Sequence, residues 1–198
     1  MNEFEQTPAD PAPKRPRYHL KKSVVLVGMM GAGKTAVGRA LAVKLGVPFL
    51  DSDHEIEAAA NLTVPEIFER DGEPFFRKRE TEVIARLLEE EPGILSTGGG
   101  AFLAEINRDL ISAKGVSVWL EADIDLIWNR VRHRNTRPLL RTSNPRKTLE
   151  ELFEARVPIY KLANLSTTSK PSLSIDKMAN RVIDTLLTRP DVLERSDA

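Results

Sequence analysis

Short apolar runs alternate with longer amphipathic stretches along most of the chain. Four apolar runs are typical of buried strands, at 23–27, 47–50, 93–97 and 116–120, and a weaker run covers 165–168. Between them, apolar residues recur every three or four positions, which predicts helices over about 36–45, 53–60, 63–71, 73–90, 104–113 and 148–163, with others beginning near 123 and after 174. Strands that alternate with helices indicate a parallel sheet covered on both faces. We therefore predict an α/β fold with three layers.

The two ends of the chain lack this pattern. Residues 1–20 contain four prolines among polar and charged side chains, so we predict a disordered tail there. Residues 189–198 follow the last predicted helix, and we expect them to fray. A single domain over residues 21–188 remains, which is long enough to bury one core of ordinary size.

The first apolar run leads directly into Gly28-Met-Met-Gly-Ala-Gly-Lys-Thr35, which fits G-x-x-x-x-G-K-[ST] at every fixed position. Glycines let such a loop curl until several N–H groups point at one anion, and the next helix directs its positive dipole end there. The lysine adds charge near the β- and γ-phosphates, and the threonine hydroxyl can bind Mg²⁺. An ordinary glycine-rich turn is the alternative, but the flanking strand and helix favour a nucleoside triphosphate site. The predicted phosphate contacts are Gly31, Ala32, Gly33, Lys34, Thr35 and Ala36.

Two acidic residues follow the second predicted strand, and three glycines follow the third. Asp51 and Asp53 are two positions apart, so in extended geometry their side chains leave on the same side. One carboxylate could bind Mg²⁺ or its water and the other could accept the proton of a hydroxyl, although Asp53 could instead cap the next helix. Three glycines in a row leave room for another molecule, although a tight turn also uses them. Ligands of parallel sheets lie outside the carboxyl ends of the strands, so both groups should meet the phosphate loop. The glycines are Gly98, Gly99 and Gly100.

Cations are concentrated in the second half of the chain. The stretch 130–147 holds six arginines and one lysine, and no acidic residue lies between Asp125 and Glu150. This composition suits a lid over phosphates, because arginine stabilises the charge of a transferring phosphoryl group. RNA binding is the competing interpretation, but the stretch lacks the aromatic residues of a stacking platform. Elsewhere, Arg77 and Glu80 share one helix face at a spacing that usually indicates an exposed ion pair.

Overall composition adds little that is specific. Lys and Arg number 29 and Asp and Glu number 29, so net charge does not indicate a nucleic-acid or membrane partner. Zero cysteines agrees with a reducing cytosol, and no apolar run approaches the length of a membrane span. We expect a cytoplasmic monomer that acts on small molecules.

The motifs together resemble the shikimate kinase family over about residues 23–188. The resemblance implies ATP-dependent phosphorylation of the 3-hydroxyl of shikimate to 3-phosphoshikimate, in the route to chorismate and the aromatic amino acids. It also implies a P-loop fold related to nucleoside monophosphate kinases, with a five-stranded parallel sheet of order 2-3-1-4-5. An acceptor-binding region would cover about 52–80 and a lid about 130–147. The motifs are the phosphate loop, Asp51-Ser-Asp53, Asp71-Gly-Glu-Pro-Phe-Phe-Arg77-Lys-Arg-Glu80, Gly98-Gly-Gly100, Arg137-Pro-Leu-Leu and Arg156-Val-Pro-Ile-Tyr160.

The resemblance also implies roles for single residues. The predicted catalytic residues are Lys34 and Arg137, which would stabilise the transferring group, and Asp53, which would contact the shikimate hydroxyls. Thr35 and Asp51 would hold Mg²⁺. Arg130 would lie over the adenine of ATP, whereas the other adenine contacts, near 174–177, stay open. The shikimate contacts would be Asp53, Arg77, Glu80, Gly98, Gly99, Gly100 and Arg156.

Two other function classes stay open. A kinase of the same fold for another small acceptor, such as gluconate, would keep the phosphate loop. It would not need the Asp-x-Asp, Arg-x-x-Glu and triple-glycine motifs together. A non-catalytic ligand sensor would need an output module, and the first 20 residues are too short to supply a DNA-binding helix pair.

Overall fold

The structure is a computed structural model that describes residues 18–133 and 138–196. The strands are β1 (Tyr18–Leu20), β2 (Ser23–Val27), β3 (Phe49–Asp51), β4 (Ile94–Ser96), β5 (Gly115–Glu121), β6 (Leu165–Thr168) and β7 (Leu193–Arg195). The helices are α1 (Lys34–Leu45), α2 (Ser52–Ala60), α3 (Val64–Asp71), α4 (Glu73–Leu87), α5 (Glu105–Lys114), α6 (Ile124–Val131), α7 (Pro145–Tyr160) and α8 (Ile175–Leu186). Two short 3₁₀ helices cover Ala101–Leu103 and Pro138–Leu140.

Five parallel strands form the central sheet in the order β3-β4-β2-β5-β6. Counted among these five strands alone, the order is 2-3-1-4-5, so the predicted fold class and strand order are confirmed. The central strand β2 pairs with β4 on one side and β5 on the other, with Val25 opposite Leu95 and Ser117. Every residue of β2 is buried, as expected of a strand covered by helices on both faces.

Alternate residues of β2 belong to two different hydrophobic cores. Val24 and Leu26 pack with α1 and α8 on one face of the sheet. Val25 and Val27 pack on the other face, in a core that includes residues of α4, α5, α6 and α7. This division follows from the strand period of two, because successive side chains point to opposite faces. Both helical layers therefore pack against this central strand.

A third, smaller cluster lies outside the sheet. Ile56, Ile67 and Phe76 are buried together and join α2, α3 and α4. A capping box starts α3: the Thr63 hydroxyl accepts the N–H of Glu66, and the Glu66 carboxylate accepts the N–H of Thr63. These three helices form a unit beside the carboxyl ends of the strands.

The chain ends differ from the prediction. The strands β1 and β7 pair antiparallel as a two-stranded ribbon, and Val192 and Leu193 are fully buried in the core that contains α1 and α8. The ribbon also carries an ion pair of 2.6 Å between Lys21 and Glu194. The prediction of disorder as far as residue 20 and of fraying from 189 is therefore wrong for Tyr18–Leu20 and Leu193–Arg195. Residues 1–17 and 197–198 lie outside the described residues.

One helix boundary also differs from the prediction. Helix α7 begins at Pro145 rather than near 148, because the Asn144 side chain accepts the N–H of Lys147 and caps it. Pro158 lies inside this helix, which ends at Tyr160. In the described ranges, no helix has both the length and the apolar character needed to cross a membrane.

The burial of Leu193 predicts that the ribbon contributes to stability. Leu193→Ala should lower the free energy of unfolding by about 2–5 kcal/mol, because it leaves a cavity in the core under α1 and α8. Leu162→Ala is the matched control, since Leu162 is 62% exposed and its loss should cost less than about 0.5 kcal/mol. Urea unfolding of both variants measures this. Equal stability of the two variants would show that the ribbon is not part of the folded core.

Candidate active site

The phosphate loop connects β2 to α1 and surrounds its own lysine. Gly33, with a φ of 96°, precedes the first residue of α1, a backbone conformation that favours glycine. The Nζ atom of Lys34 donates hydrogen bonds of 2.7 Å to the carbonyl of Gly28 and 3.0 Å to that of Met29. Because Lys34 is 9% exposed, its charge is held inside the loop. The loop thus lies between a buried strand and a helix, as the sequence predicted.

Asp51 ends β3 and caps α2. Its Oδ1 atom accepts the backbone N–H groups of Asp53, at 3.1 Å, and His54, at 3.3 Å. Its Oδ2 atom lies 3.4 Å from the Thr35 hydroxyl. The two aspartates do not share one extended strand, since Asp53 lies in the first turn of α2. The cap of this helix is Asp51 and not Asp53, which corrects both geometric expectations from the sequence.

Asp51 and Thr35 form an oxygen pair that fits Mg²⁺. Within the described ranges, no three or more His, Cys, Asp or Glu side chains form a group able to hold a metal ion. Magnesium in kinases takes few protein ligands, because phosphate oxygens and waters complete its shell. One carboxylate oxygen beside one hydroxyl at the phosphate loop therefore suffices.

Asp53 lies against the glycines that follow β4. A Cβ atom on Gly98 would come within 2.8 and 2.9 Å of its two carboxylate oxygens, so only glycine leaves this space. The Oδ1 atom of Asp53 is buried and has no hydrogen-bond partner among the described residues. Burial first, and then the charge of Asp51, raise the pKa of Asp53 to about 6 against the opposing charge of Lys34. A carboxyl group with this pKa is mainly ionised at neutral pH and can accept a hydrogen bond.

Arg77 and Glu80 form an ion pair that is buried on one side. Arg77 Nη1 donates to Glu80 Oε2 at 2.8 Å, and Glu80 is 0% exposed, so the exposed pair that the spacing indicated is not what forms. Burial raises the pKa of Glu80 to about 7, against the opposing charge of Arg77. A Cβ atom on Gly100 would come within 2.7 Å of Arg77 Nη1 and 2.8 Å of Cζ. The glycines thus make room for the side chains of this protein.

Two adjoining cavities meet at these residues. The smaller cavity, of about 320 Å³, has polar walls from Asp53, Arg77, Glu80, Arg156 and the three glycines. Its apolar walls come from α3, α4 and the 3₁₀ helix that contains Leu139. The larger, of about 710 Å³, contains the phosphate loop. Lining residues common to both cavities are Met30, Asp53, Gly98 and Gly99.

The far end of the larger cavity is formed by α6 and α8. Arg130 Nη1 donates to the carbonyls of Gly31 and Ala32, each at 3.2 Å, so this arginine contacts the phosphate loop itself. The wall beyond Arg130 contains Ser169, Leu173, Ser174, Ile175 and Met178. These residues lie in and around the segment 174–177, where the sequence left the adenine contacts open.

The predicted lid of residues 130–147 is not one structural unit. Arg130 belongs to α6, and residues 145–147 belong to α7. Arg146 pairs with Asp125 at 2.9 Å and Glu150 at 2.7 Å, the two acids that bracket the stretch in the sequence. Arg137, with residues 134–136, lies outside the described residues.

Comparison with known proteins agrees with this geometry. The family model described as Shikimate kinase matches residues 30–187. The chain belongs to the shikimate kinase family. It is 68% identical to a shikimate kinase of Ruegeria pomeroyi over 89% of this chain and 91% of that protein. A shikimate kinase of Cereibacter sphaeroides is 64% identical, over 90% and 89% of the two chains. A solved shikimate kinase from Acinetobacter baumannii in complex with shikimate is 39% identical, covers 84% of this chain and 93% of its own, and superposes with a TM-score of 0.79.

Membership of the shikimate kinase family fixes the activity. The chain is a kinase that acts on an alcohol group, and it phosphorylates shikimate with ATP in aromatic amino acid biosynthesis. This confirms the resemblance drawn from the motifs. It decides against a gluconate kinase and against a non-catalytic sensor.

Sequence reasoning missed the apolar walls of the acceptor cavity. No individual site role was predicted for the six apolar residues of that wall, because single apolar residues carry no chemical motif. A signal was available for two of them, since Met30 and Phe76 lie inside the quoted motifs. The missed residues are Met30, Val64, Pro65, Phe68, Phe76 and Leu139.

The space beside Gly100 predicts a selective defect. In Gly100→Ala the new methyl group would displace the flexible end of Arg77, so the Tm should change by less than about 4 °C while the KM for shikimate rises at least about tenfold. Gly46→Ala is the control outside the site, because a Cβ there meets no atom within 4 Å and Gly46 lines neither cavity. Steady-state kinetics with each substrate varied measures both variants. An equal rise of the KM for shikimate in Gly46→Ala would contradict this account of Arg77.

Proposed function

We propose that this chain transfers the γ-phosphoryl group of ATP to the 3-hydroxyl of shikimate across the wall shared by its two cavities. The observation that carries the proposal is the position of Asp53, which lines both cavities with the phosphate-loop residue Met30 beside it. A hydroxyl held by Asp53 would be close to a phosphate held by the loop. Phosphoryl transfer depends mainly on such positioning and on electrostatic stabilisation.

The acceptor is held at both ends of the smaller cavity. Arg77 and Arg156 would bind the carboxylate of shikimate, because two guanidinium groups match a carboxylate in charge and geometry. Glu80 fixes the direction of Arg77 through their 2.8 Å hydrogen bond. Backbone groups of Gly98–Gly100 and the apolar wall near Phe68 would contact the ring.

The nucleotide is held in the larger cavity. Lys34, which now donates to two loop carbonyls, would donate instead to phosphate oxygens and offset the charge that develops during transfer. Arg137 would add a second positive charge, and Arg130 would cover the adenine. Asp53 accepts the hydrogen bond of the attacking hydroxyl and takes up its proton.

Thr35 and Asp51 would hold Mg²⁺ through the oxygen atoms that lie 3.4 Å apart. The ion, when bound, supplies charge that neutralises the β- and γ-phosphate oxygens. We further propose a cytoplasmic monomer without nucleic-acid or membrane partners, whose domain over 21–188 has an acceptor-binding region at about 52–80 and a lid within about 130–147. The balanced charge and the cation-rich stretch support these points.

The role of Asp53 predicts a defect confined to the acceptor. Asp53→Asn should lower kcat at least about 10²-fold and raise the KM for shikimate, because the amide cannot accept the hydroxyl proton. The affinity for ATP should change less than about threefold, because the proposal assigns Asp53 to the acceptor hydroxyl and not to the phosphates. Asp109→Asn, an exposed site on α5, is the control. If ATP affinity collapsed and the KM for shikimate survived, the roles of Asp51 and Asp53 would have to be exchanged.

The arginine pair predicts selection for a carboxylate. Wild-type kcat/KM should be about 30-fold or more higher for shikimate than for its carboxamide, because the amide leaves two cations without a charged partner. Arg77→Ala should erase most of this preference. Arg79→Ala is the matched control on the same helix, since Arg79 pairs with Glu82 at 2.6 Å. Equal use of both acceptors by the wild type would show that the site does not recognise a carboxylate.

A further inference from the structure

The Tyr160 side chain ends α7 beneath the triple-glycine loop. It is 0% exposed, and its hydroxyl donates a hydrogen bond of 2.5 Å to the carbonyl of Gly99. Its ring stacks on Trp119, with centroids 6.4 Å apart and an interplanar angle of 27°. Tyr160 stood in the sequence motif that begins at Arg156, but neither the reaction nor the substrate contacts described above use it.

The hydrogen bond fixes one peptide group of the acceptor cavity. In a trans peptide the C=O and N–H point in opposite directions, and none of the described peptide bonds is cis. Holding the Gly99 carbonyl toward Tyr160 therefore directs the Gly100 N–H to the opposite side. Glycine backbones are otherwise free to rotate, so this loop needs an external anchor.

Arg156 belongs to the same anchor. It precedes Tyr160 by four residues on α7, so both side chains lie on one face of the helix. A Cβ atom on Gly99 would lie 3.4 Å from Arg156 Nη1, which places the guanidinium beside the peptide that Tyr160 holds. Burial raises the pKa of Tyr160 above its ordinary value, against the opposing charge of Arg156. The hydroxyl thus remains a protonated donor at working pH.

We propose that Tyr160 is a positioning residue for the acceptor carboxylate, because its hydroxyl holds the Gly99 peptide at a fixed distance from Arg156. This inference rests on the proposed carboxylate site of Arg77 and Arg156. Tyr160 does not contact the substrate. It sets the distance between the Gly99 backbone and the Arg156 guanidinium, which contact the substrate.

The ring of Tyr160 is connected to the phosphate loop through Trp119. Trp119, which stacks on that ring, lies against the start of the loop, where its Cδ1 atom is 3.3 Å from the position of a Cβ on Gly28. Phenylalanine keeps the ring and its stacking. The change Tyr160→Phe therefore keeps this contact with the phosphate loop and removes only the hydrogen bond to Gly99.

The test is steady-state kinetics of Tyr160→Phe with shikimate, its carboxamide and ATP. We expect the KM for shikimate to rise about tenfold, since the Gly99 carbonyl loses its hydrogen-bond donor and the glycine loop is no longer held in one position. The KM for ATP should stay within about twofold. The preference for shikimate over the carboxamide should fall by about the same tenfold, because only the carboxylate depends on the position of Arg156. Tyr18→Phe, in β1, is the matched control and should leave both KM values and the preference for shikimate unchanged.

The outcomes separate this inference from the proposed function. If the wild type does not prefer shikimate to its carboxamide, the carboxylate site itself is refuted. If the wild type has the preference and Tyr160→Phe keeps it undiminished, the positioning role is refuted. A lowered Tm with equal rises in both KM values would show a structural role only, and would also overturn the inference.

Discussion

The burial of β2 on both faces is the constraint on which the rest of the molecule depends. Its alternating valine and leucine side chains belong to two separate cores, so helices must cover both sides of the sheet. A strand so enclosed reaches solvent only at its ends. The loop that leaves its carboxyl end is therefore free to bind a ligand through its backbone N–H groups. This loop lies between β4, which leads into the glycine loop, and β5, which contains Trp119. The phosphate site is a product of sheet topology as much as of glycine content.

Around this loop the protein places ionised groups where water is scarce. Glu80 has no exposed surface, and moving such a carboxylate out of water costs several kcal/mol unless a cation compensates it. Arg77 supplies part of that compensation through the Oε2 atom of Glu80, and the direction of Arg77 is thereby set before any substrate arrives. Within the described part of the chain, Oε1 of Glu80 and Oδ1 of Asp53 are both buried without a hydrogen-bond partner. One site thus contains a carboxylate that orients an arginine and a second carboxylate, Asp53, that can accept a hydrogen bond from a ligand.

Local patterns in the sequence predicted the local features. The phosphate loop and the buried central strand both follow from residues within a few positions of one another. The features that were missed or wrong depend on distant partners. Strand β1 has only three residues and forms only by pairing with β7, about 173 positions later in the chain. Glu80 was expected in an exposed ion pair because it lies three positions after Arg77, whereas its burial comes from helix packing. The strand order came from family resemblance, because periodicity alone does not order a sheet.

The terminal ribbon has a consequence for how the chain folds. Its two strands pair residues 18–20 with residues 193–195, so it adds contacts of very long range in the sequence and raises the contact order. Loop-closure entropy opposes such contacts until the intervening sheet is in place. The buried Leu20, Val192 and Leu193 belong to the core that also contains α1 and α8. That core therefore stays incomplete on the ribosome until Val192 and Leu193 have left the exit tunnel, whereas the opposite core, whose members end at Ala163, can close earlier.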